Sequence, residues 1–229
     1  MIPAAIYDPG FDAVRESQRV FRMLLDATAW PGKIVRLPVT RVSPPPPWPA
    51  AVAQIAQTLL DVQVTFSVHG VDGGSLTDYL VVNTGARPAP LETAGYVIAG
   101  APLSALDVSA LHPGTLLEPD RGATLLLACD YLAVDEYRPH PTGVPNGSLH
   151  AETASPDHNV VALALSGRGI AGRRALLVDT DAAAAMERLA ERGDEYPLGI
   201  DLILTDSSGQ IVSLPRTTHW SKEAIQSVT

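Results

Sequence analysis

The sequence predicts a layered α/β fold with a mixed, mostly central β-sheet flanked by helices. Its last third alternates between the two patterns, giving a strand at 175–178, a helix at 182–192 and strands at 200–205 and 210–214. Two apolar runs, 123–128 and 160–165, are typical of strands buried on both faces and are predicted to be central. A Ser-Ser-Gly turn joins the last two strands, and because such a hairpin is antiparallel the sheet is predicted to be mixed.

The first half of the chain is predicted to open with an amphipathic helix. Apolar residues between Phe11 and Ala29 recur at helical spacing after Asp12, a candidate N-cap, and Trp30-Pro31-Gly32 ends the helix. Four consecutive prolines at 44–47 then predict a rigid connection. The remaining predicted elements are strands at 34–37, 63–68, 79–82 and 96–98 and helices at 50–61 and 103–111.

The segment from Arg138 to His158 is rich in proline and glycine and has almost no periodicity, so it is predicted to be a long surface loop. All 229 residues are predicted to form a single domain. A chain of this length buries roughly 70% of its unfolded surface, so its stability needs neither a disulfide nor a structural metal.

Composition excludes several classes of function. The 25 acidic and 16 basic side chains give a net charge of −9, which opposes binding to nucleic acid. No apolar run approaches the roughly 18 residues that span a bilayer, and residues 1–10 lack the basic start of a secretory signal. We therefore expect a cytoplasmic protein with no membrane association, in which the single cysteine, Cys129, is a buried inert thiol.

No catalytic residue and no metal site is predicted. The six histidines lack metal-binding spacing, no nucleophile motif occurs, and neither of the two lysines is well placed for a Schiff base. The segment 167–172 reads Gly-Arg-Gly-Ile-Ala-Gly, the spacing of a dinucleotide-binding loop. A strand rather than a helix is predicted after it, however, so a glycine-rich hairpin turn is the preferred interpretation.

Two groups of residues could bind a ligand or a partner. An arginine, two hydroxyls and an imidazole follow a predicted strand at 216–219, and such donors suit an oxyanion or an interface. Arginines 15, 19 and 22 share one face of the first helix, which is either a solvated face or a site for phosphate or an acidic partner. The candidate ligand-binding or interface residues are Arg216, Thr217, Thr218, His219, Arg22, Gln18, Gly167 and Gly169.

Several blocks together form a family pattern that runs in order from about residue 11 to 219. These blocks are Gln18-x-x-Phe21-Arg22-x-Leu24-Leu25, Glu118-Pro119-x-Arg121-Gly122-Ala123-Thr124-Leu125, Gly167-x-Gly169-Ile170-Ala171, Pro197-Leu198-Gly199-Ile200-Asp201-Leu202-Ile203-Leu204 and Pro215-Arg216-Thr217-Thr218. The chain resembles the PhnH family, a subunit of the bacterial carbon–phosphorus lyase system.

The resemblance implies a homodimer whose fold is like the large domain of pyridoxal-phosphate-dependent transferases without that cofactor. It further implies assembly with the PhnG, PhnI and PhnJ subunits. The complex would make alpha-D-ribose 1-methylphosphonate 5-triphosphate from ATP and a phosphonate. ATP would be used by the complex, while this chain would bind no cofactor and lack a complete active site. The alternative is an independent binder of a phosphorylated ligand or nucleotide.

Overall fold

The computed structural model describes residues 7–136, 159–170 and 174–222. The helices of these ranges are α1 (Arg15–Ala29), α2 (Ala50–Leu59), α3 (Gly73–Thr84) and α4 (Thr180–Glu191). The strands are β1 (Val35–Arg36), β2 (Thr65–His69), β3 (Arg87–Pro88), β4 (Tyr96–Ala99), β5 (Thr124–Cys129), β6 (Leu132–Glu136), β7 (Val160–Gly167), β8 (Arg174–Asp179), β9 (Asp201–Asp206), β10 (Gln210–Leu214) and β11 (Thr218–Lys222). None of these helices is long and apolar enough to cross a membrane.

The larger sheet has seven strands in the order β1-β10-β9-β5-β4-β2-β3. The strands from β9 to β3 in this order run parallel, whereas β10 is antiparallel to β9 and β1 is antiparallel to β10. The β9–β10 hairpin is the turn predicted from the Ser-Ser-Gly segment, so the prediction of a mixed sheet with β5 at its centre is confirmed.

A second sheet, with strand order β11-β7-β8-β6, is antiparallel throughout. The prediction that 160–165 is a buried central strand is confirmed, but β7 lies in the interior of this smaller sheet and not in the larger sheet with β5. The connection from β7 to β8 is too short for the crossover that parallel pairing requires. The glycine-rich segment thus joins two antiparallel strands, which confirms the hairpin interpretation and overturns the dinucleotide-loop interpretation.

The larger sheet separates two apolar cores. One core lies under α1, α2 and α3 and contains Leu126 and Ile203, while the other lies under α4 and the smaller sheet and contains Leu125 and Leu202. Adjacent strand residues point to opposite faces, so one apolar run supplies both cores. This explains why the runs in β5 and β9 are continuous rather than alternating.

Two further predictions differ from the structure. The segment 79–82 is helical, because Leu76, Tyr79 and Leu80 of α3 share one buried face at helical spacing. The segment 103–111 contains two short 3₁₀ turns, Leu103–Ala105 and Val108–Ala110, instead of one helix. Strands β3, β6 and β11 were not predicted, since they are short, lie at sheet edges and carry mixed polarity.

Asp12 lies just before α1, which begins at Arg15 and not directly after Asp12 as predicted. The Asp12 carboxylate accepts hydrogen bonds from the backbone N–H groups of Val14 (2.9 Å) and Arg15 (3.0 Å), as an N-terminal capping residue does. These bonds lower the pKa of the Asp12 carboxyl. The loop predicted at 138–158 lies outside the described residues, and the single domain spanning 1–229 stays a prediction.

Candidate functional site

Arg216, in the short connection between β10 and β11, makes an extensive set of internal contacts. Its Nη2 donates to Oδ2 of Asp201 at 2.5 Å, and its Nε lies 3.2 Å from the same oxygen. Its Nη1 donates to the carbonyl oxygen of Pro119 at 2.5 Å and lies 3.4 Å from that of Pro197. Because most of its donors are used inside the chain, the guanidinium has little capacity left for a bound anion.

Two glycines allow these contacts. An added Cβ at Gly122 would lie 2.8 Å from Nη1 of Arg216, and one at Gly199 would lie 3.0 Å from its Cβ. Both residues come from the sequence blocks 118–125 and 197–204. These blocks and Arg216 therefore meet at the amino ends of β5 and β9, where the arginine side chain joins three separate segments.

The structure also brings Gly167 beside the 217–219 segment. Gly167 has a φ of +133°, and a Cβ there would lie 2.6 Å from the carbonyl oxygen of Thr217. Thr218 pairs with Gly167 in the smaller sheet and is buried, and its Oγ1 has no hydrogen-bond partner among the described residues. His219 is exposed. A cavity of about 370 Å³ borders Arg216, Thr218 and His219, so these predicted residues do lie together.

The other predicted residues lie elsewhere. A Cβ at Gly169 would lie 2.8 Å from Cδ of Pro31, so this glycine packs against the turn that follows α1. Gln18 and Arg22 are exposed on α1, which covers the face of the larger sheet opposite α4 and the smaller sheet. The predicted residues therefore form two separate groups, and the prediction that they bind a ligand stays a prediction.

The exposed side of α1 carries an apolar strip beside the arginines. Val14, Phe21 and Leu25 are 79%, 47% and 53% exposed, although the opposite side of the helix is buried. Gln18 and Arg22 lie next to this strip at helical spacing. We call Val14, Gln18, Phe21, Arg22 and Leu25 the α1 outer face. Large apolar side chains exposed as a group mark an interaction surface more often than scattered ones do.

A cavity of about 610 Å³ lies at the carboxyl ends of β4, β5 and β9, and sequence analysis did not identify it. In open α/β sheets, ligands bind in the crevice outside the carboxyl ends of the strands. We call it the carboxyl-edge cavity. It is lined by Pro47, Trp48, Pro49, Val71, Gly100, Ala101, Ala128, Cys129, Asp130 and Ser207.

Trp48 is the largest side chain of this lining and is only 6% exposed. A Cβ at Gly100 would lie 2.9 Å from Cζ3 of its ring, and one at Gly70 would lie 3.2 Å from Cη2, so only glycine fits these strand ends against the indole. The indole Nε1 is buried and has no acceptor among the described residues. The sequence signal was a tryptophan directly after four prolines, which in isolation resembles any loop residue.

Cys129, at the end of β5, is buried, as predicted. Burial raises the pKa of its thiol, and the nearby carboxylates of Asp179, Asp206 and Asp130 raise it further. Such a thiol remains protonated and is a poor nucleophile. Within the described ranges, no three histidine, cysteine, aspartate or glutamate side chains form a group that could hold a metal ion.

The chain is similar to a known protein family and to two known proteins. A family model described as "Bacterial phosphonate metabolism protein (PhnH)" matches residues 9–221. The chain is 30% identical over 226 residues to the alpha-D-ribose 1-methylphosphonate 5-triphosphate synthase subunit PhnH of Rhizobium meliloti (strain 1021), a match that covers 95% of this chain and 97% of that relative. It is 26% identical over 204 residues to the putative C-P lyase subunit protein HtxG of Stutzerimonas stutzeri, covering 88% and 84% of the two chains.

Proposed function

Because the chain belongs to the PhnH family of bacterial phosphonate metabolism proteins, we propose that it is a subunit of an alpha-D-ribose 1-methylphosphonate 5-triphosphate synthase in the carbon–phosphorus lyase pathway. The observation that carries this proposal is the collinear match to the Rhizobium meliloti subunit over 95% of the chain.

Within that synthase the chain acts as an assisting subunit without a complete active site of its own. The geometry supports this role because the donors of Arg216 are used internally and the thiol of Cys129 is buried and protonated. ATP is then a substrate of the assembled complex rather than a cofactor of this chain. The likeness to the large domain of pyridoxal-phosphate-dependent transferases stays a prediction.

The partners we propose are the PhnG, PhnI and PhnJ subunits together with a second copy of this chain. The α1 outer face supports assembly with other chains, since it leaves Phe21 and Leu25 half exposed beside arginines. For Arg19 and Arg22, no carboxylate lies within salt-bridge distance among the described residues. Both side chains are therefore available to an acidic surface.

Native mass spectrometry of the chain co-expressed with PhnG, PhnI and PhnJ from the same source tests the proposal. We expect stoichiometric incorporation, and we expect Phe21→Glu combined with Leu25→Glu to abolish it because two carboxylates would be buried at the contact. Val62→Glu is the matched control, since Val62 is 67% exposed but lies outside α1.

A wild-type chain that is never incorporated would overturn the subunit role. The alternative is an independent binder of a phosphorylated ligand that uses Arg216, Thr217, Thr218 and Arg22, of which Arg22 has no ion-pair partner among the described residues. Calorimetric titration of the isolated chain with ATP and with methylphosphonate distinguishes the two, because the subunit role predicts no heat from either ligand.

A further inference from the structure

Two loops at the amino ends of β5 and β9 expose large apolar side chains. Leu116 and Leu117, in the loop before β5, are 78% and 90% exposed, and Tyr196, in the loop before β9, is 71% exposed. None of the three belongs to either apolar core or packs against one. These side chains therefore add nothing to the core and are free to contact another molecule.

The fold holds the two loops side by side. The N–H of Gly199 donates to the carbonyl oxygen of Pro113 at 2.9 Å, which joins the base of one loop to the base of the other. The Arg216 guanidinium bridges them a second time, since its Nη1 lies 2.5 Å from the carbonyl oxygen of Pro119 and 3.4 Å from that of Pro197. We call the exposed apolar residues of these adjacent loops, Leu116, Leu117 and Tyr196, the amino-edge patch.

The loop that carries the two leucines is tightly closed. The N–H of Thr115 donates to the carbonyl oxygen of Glu118 at 3.2 Å, and the N–H of Glu118 donates to Oγ1 of Thr115 at 3.0 Å. Leu116 and Leu117 are the two residues between these bonds and form the tip of the loop. Such positions usually hold glycine, proline, asparagine, aspartate or serine. Because the tip is already ordered, docking it on another surface costs little conformational entropy.

The charges beside the patch indicate which surface it fits. The segments 116–121 and 194–196 contain four carboxylates, and two of these pair with neighbouring arginines. The other two, those of Asp120 and Glu195, are exposed and have no ion-pair partner within the described part of the chain. Lysine or arginine on a partner would pair with them. Two copies of the patch facing each other would instead bring like charges together, which disfavours a symmetric contact between copies.

We propose that the amino-edge patch inserts into an apolar pocket bordered by lysine or arginine on a partner chain of the synthase other than a second copy. Leu116 and Leu117 fill the pocket, the Tyr196 ring packs at its side, and Asp120 and Glu195 meet the basic border. This contact is separate from the α1 outer face, because α1 covers a face of the larger sheet and the patch lies at its edge. The inference rests on the proposed subunit role and adds the surface and chemistry of a second contact.

Native mass spectrometry of the chain co-expressed with PhnG, PhnI and PhnJ tests the patch. We expect Leu116→Asp combined with Leu117→Asp to reduce incorporation roughly tenfold or more, because two carboxylates would enter an apolar pocket. Val39→Asp is the matched control and should leave incorporation unchanged, since Val39 is fully exposed but lies between β1 and α2. None of these side chains is buried, so all the variants should keep the urea denaturation curve of the wild-type chain.

Two further measurements test the charges and the location. The wild-type complex is expected to dissociate as the salt concentration rises, and Asp120→Asn combined with Glu195→Gln should weaken this dependence. Asp78→Asn, which replaces an exposed aspartate on α3, should not. Amide hydrogen exchange of residues 114–118 is expected to be slower in the assembled complex than in the free chain.

Wild-type incorporation of the double leucine variant would overturn the proposal, and so would unchanged hydrogen exchange of residues 114–118 in the complex. If that variant instead loses self-association of the isolated chain while still joining the complex, the patch belongs to a second copy and the proposal is wrong. Failure of the wild-type chain to be incorporated would overturn the subunit role and this contact together. Failure of the patch alone is therefore distinguishable from failure of the subunit role.

Discussion

The polar groups at the two ends of the central parallel strands differ in how completely they are hydrogen-bonded within the fold. At the amino ends of β5 and β9, Arg216 and Asp201 satisfy each other, and the arginine also donates to the carbonyl of Pro119. At the carboxyl ends, the Trp48 N–H has no described acceptor, and the Asp130 carboxylate has no described donor. The Arg216–Asp201 pair at the amino ends is thus satisfied within the fold, whereas Trp48 and Asp130 at the carboxyl ends present unused hydrogen-bonding groups beside a cavity.

This difference separates polar groups that hold segments of the fold together from polar groups that are left unpaired beside a cavity. The block 215–218 looks like an anion site in the sequence because an arginine and two hydroxyls follow a strand. In the fold its arginine holds the start of β9 against the turn at 119–121. Unpaired groups beside a cavity are the better indicator of a binding site, because their cost to stability is tolerated only when something offsets it.

The largest loss of stability should follow removal of the Arg216 side chain. Arg216→Ala leaves Asp201 without its partner and the Pro119 carbonyl without a donor, so we expect a loss of about 3 kcal/mol in the free energy of unfolding. Urea denaturation measures it. Arg121→Ala is the control, because the Arg121–Glu118 pair is 69% and 45% exposed and should contribute at most about 0.5 kcal/mol. Wild-type stability of Arg216→Ala would contradict a structural role at the amino edge.

A smaller loss in the free energy of unfolding is expected from Gly167→Ala. The φ of +133° and a Cβ only 2.6 Å from the carbonyl oxygen of Thr217 force the backbone of β7 and β11 apart, at a cost of about 2 kcal/mol. Gly193→Ala is the matched control, since Gly193 has a φ of +66° and no atom within 4 Å of an added Cβ. The control should lose only about 1 kcal/mol of stability, which is the strain that a side chain causes at a positive φ. Thermal or urea unfolding of both variants checks the difference, and equal losses would rule out the close approach.

The smallest effect is expected in the pH dependence of the free energy of unfolding, through a histidine at the carboxyl end of β2. Burial lowers the pKa of His69, at the end of β2, below its ordinary 6.5, although the charge of Glu92 opposes this shift. The unfolded chain therefore takes up this proton at higher pH than the folded chain does. The resulting contribution to stability is complete above pH 6.5 and is lost as the pH falls below it.

His69→Gln should accordingly flatten the decline in the free energy of unfolding between pH 7 and pH 5. Its amide can still form a hydrogen bond with Ser67, whose Oγ lies 2.9 Å from Nε2 of the wild-type imidazole. Urea denaturation across this pH window is the measurement. Identical slopes for the two proteins would show that His69 does not titrate differently on folding.

Much of the fold follows from local sequence patterns. The apolar runs in β5 and β9 predicted buried strands, the Ser-Ser-Gly turn predicted the final hairpin, and Asp12 predicted the capping of α1. These predictions succeed because periodicity, turn chemistry and capping depend on neighbouring residues. The ordered blocks also indicated the family, which the matching of residues 9–221 confirms.

Only the tertiary structure decided which sheet each strand joins and which polar groups remain unpaired. The apolar pattern of β7 suits any buried strand, so its place in the smaller sheet depended on pairing with β8 and β11. The partners of Arg216 lie as many as 97 positions away in the sequence, and the carboxyl-edge cavity joins Trp48 to Asp130 across several elements. Such contacts between distant residues follow from chain topology, because hydrogen bonding and burial depend on spatial neighbours that no local pattern specifies.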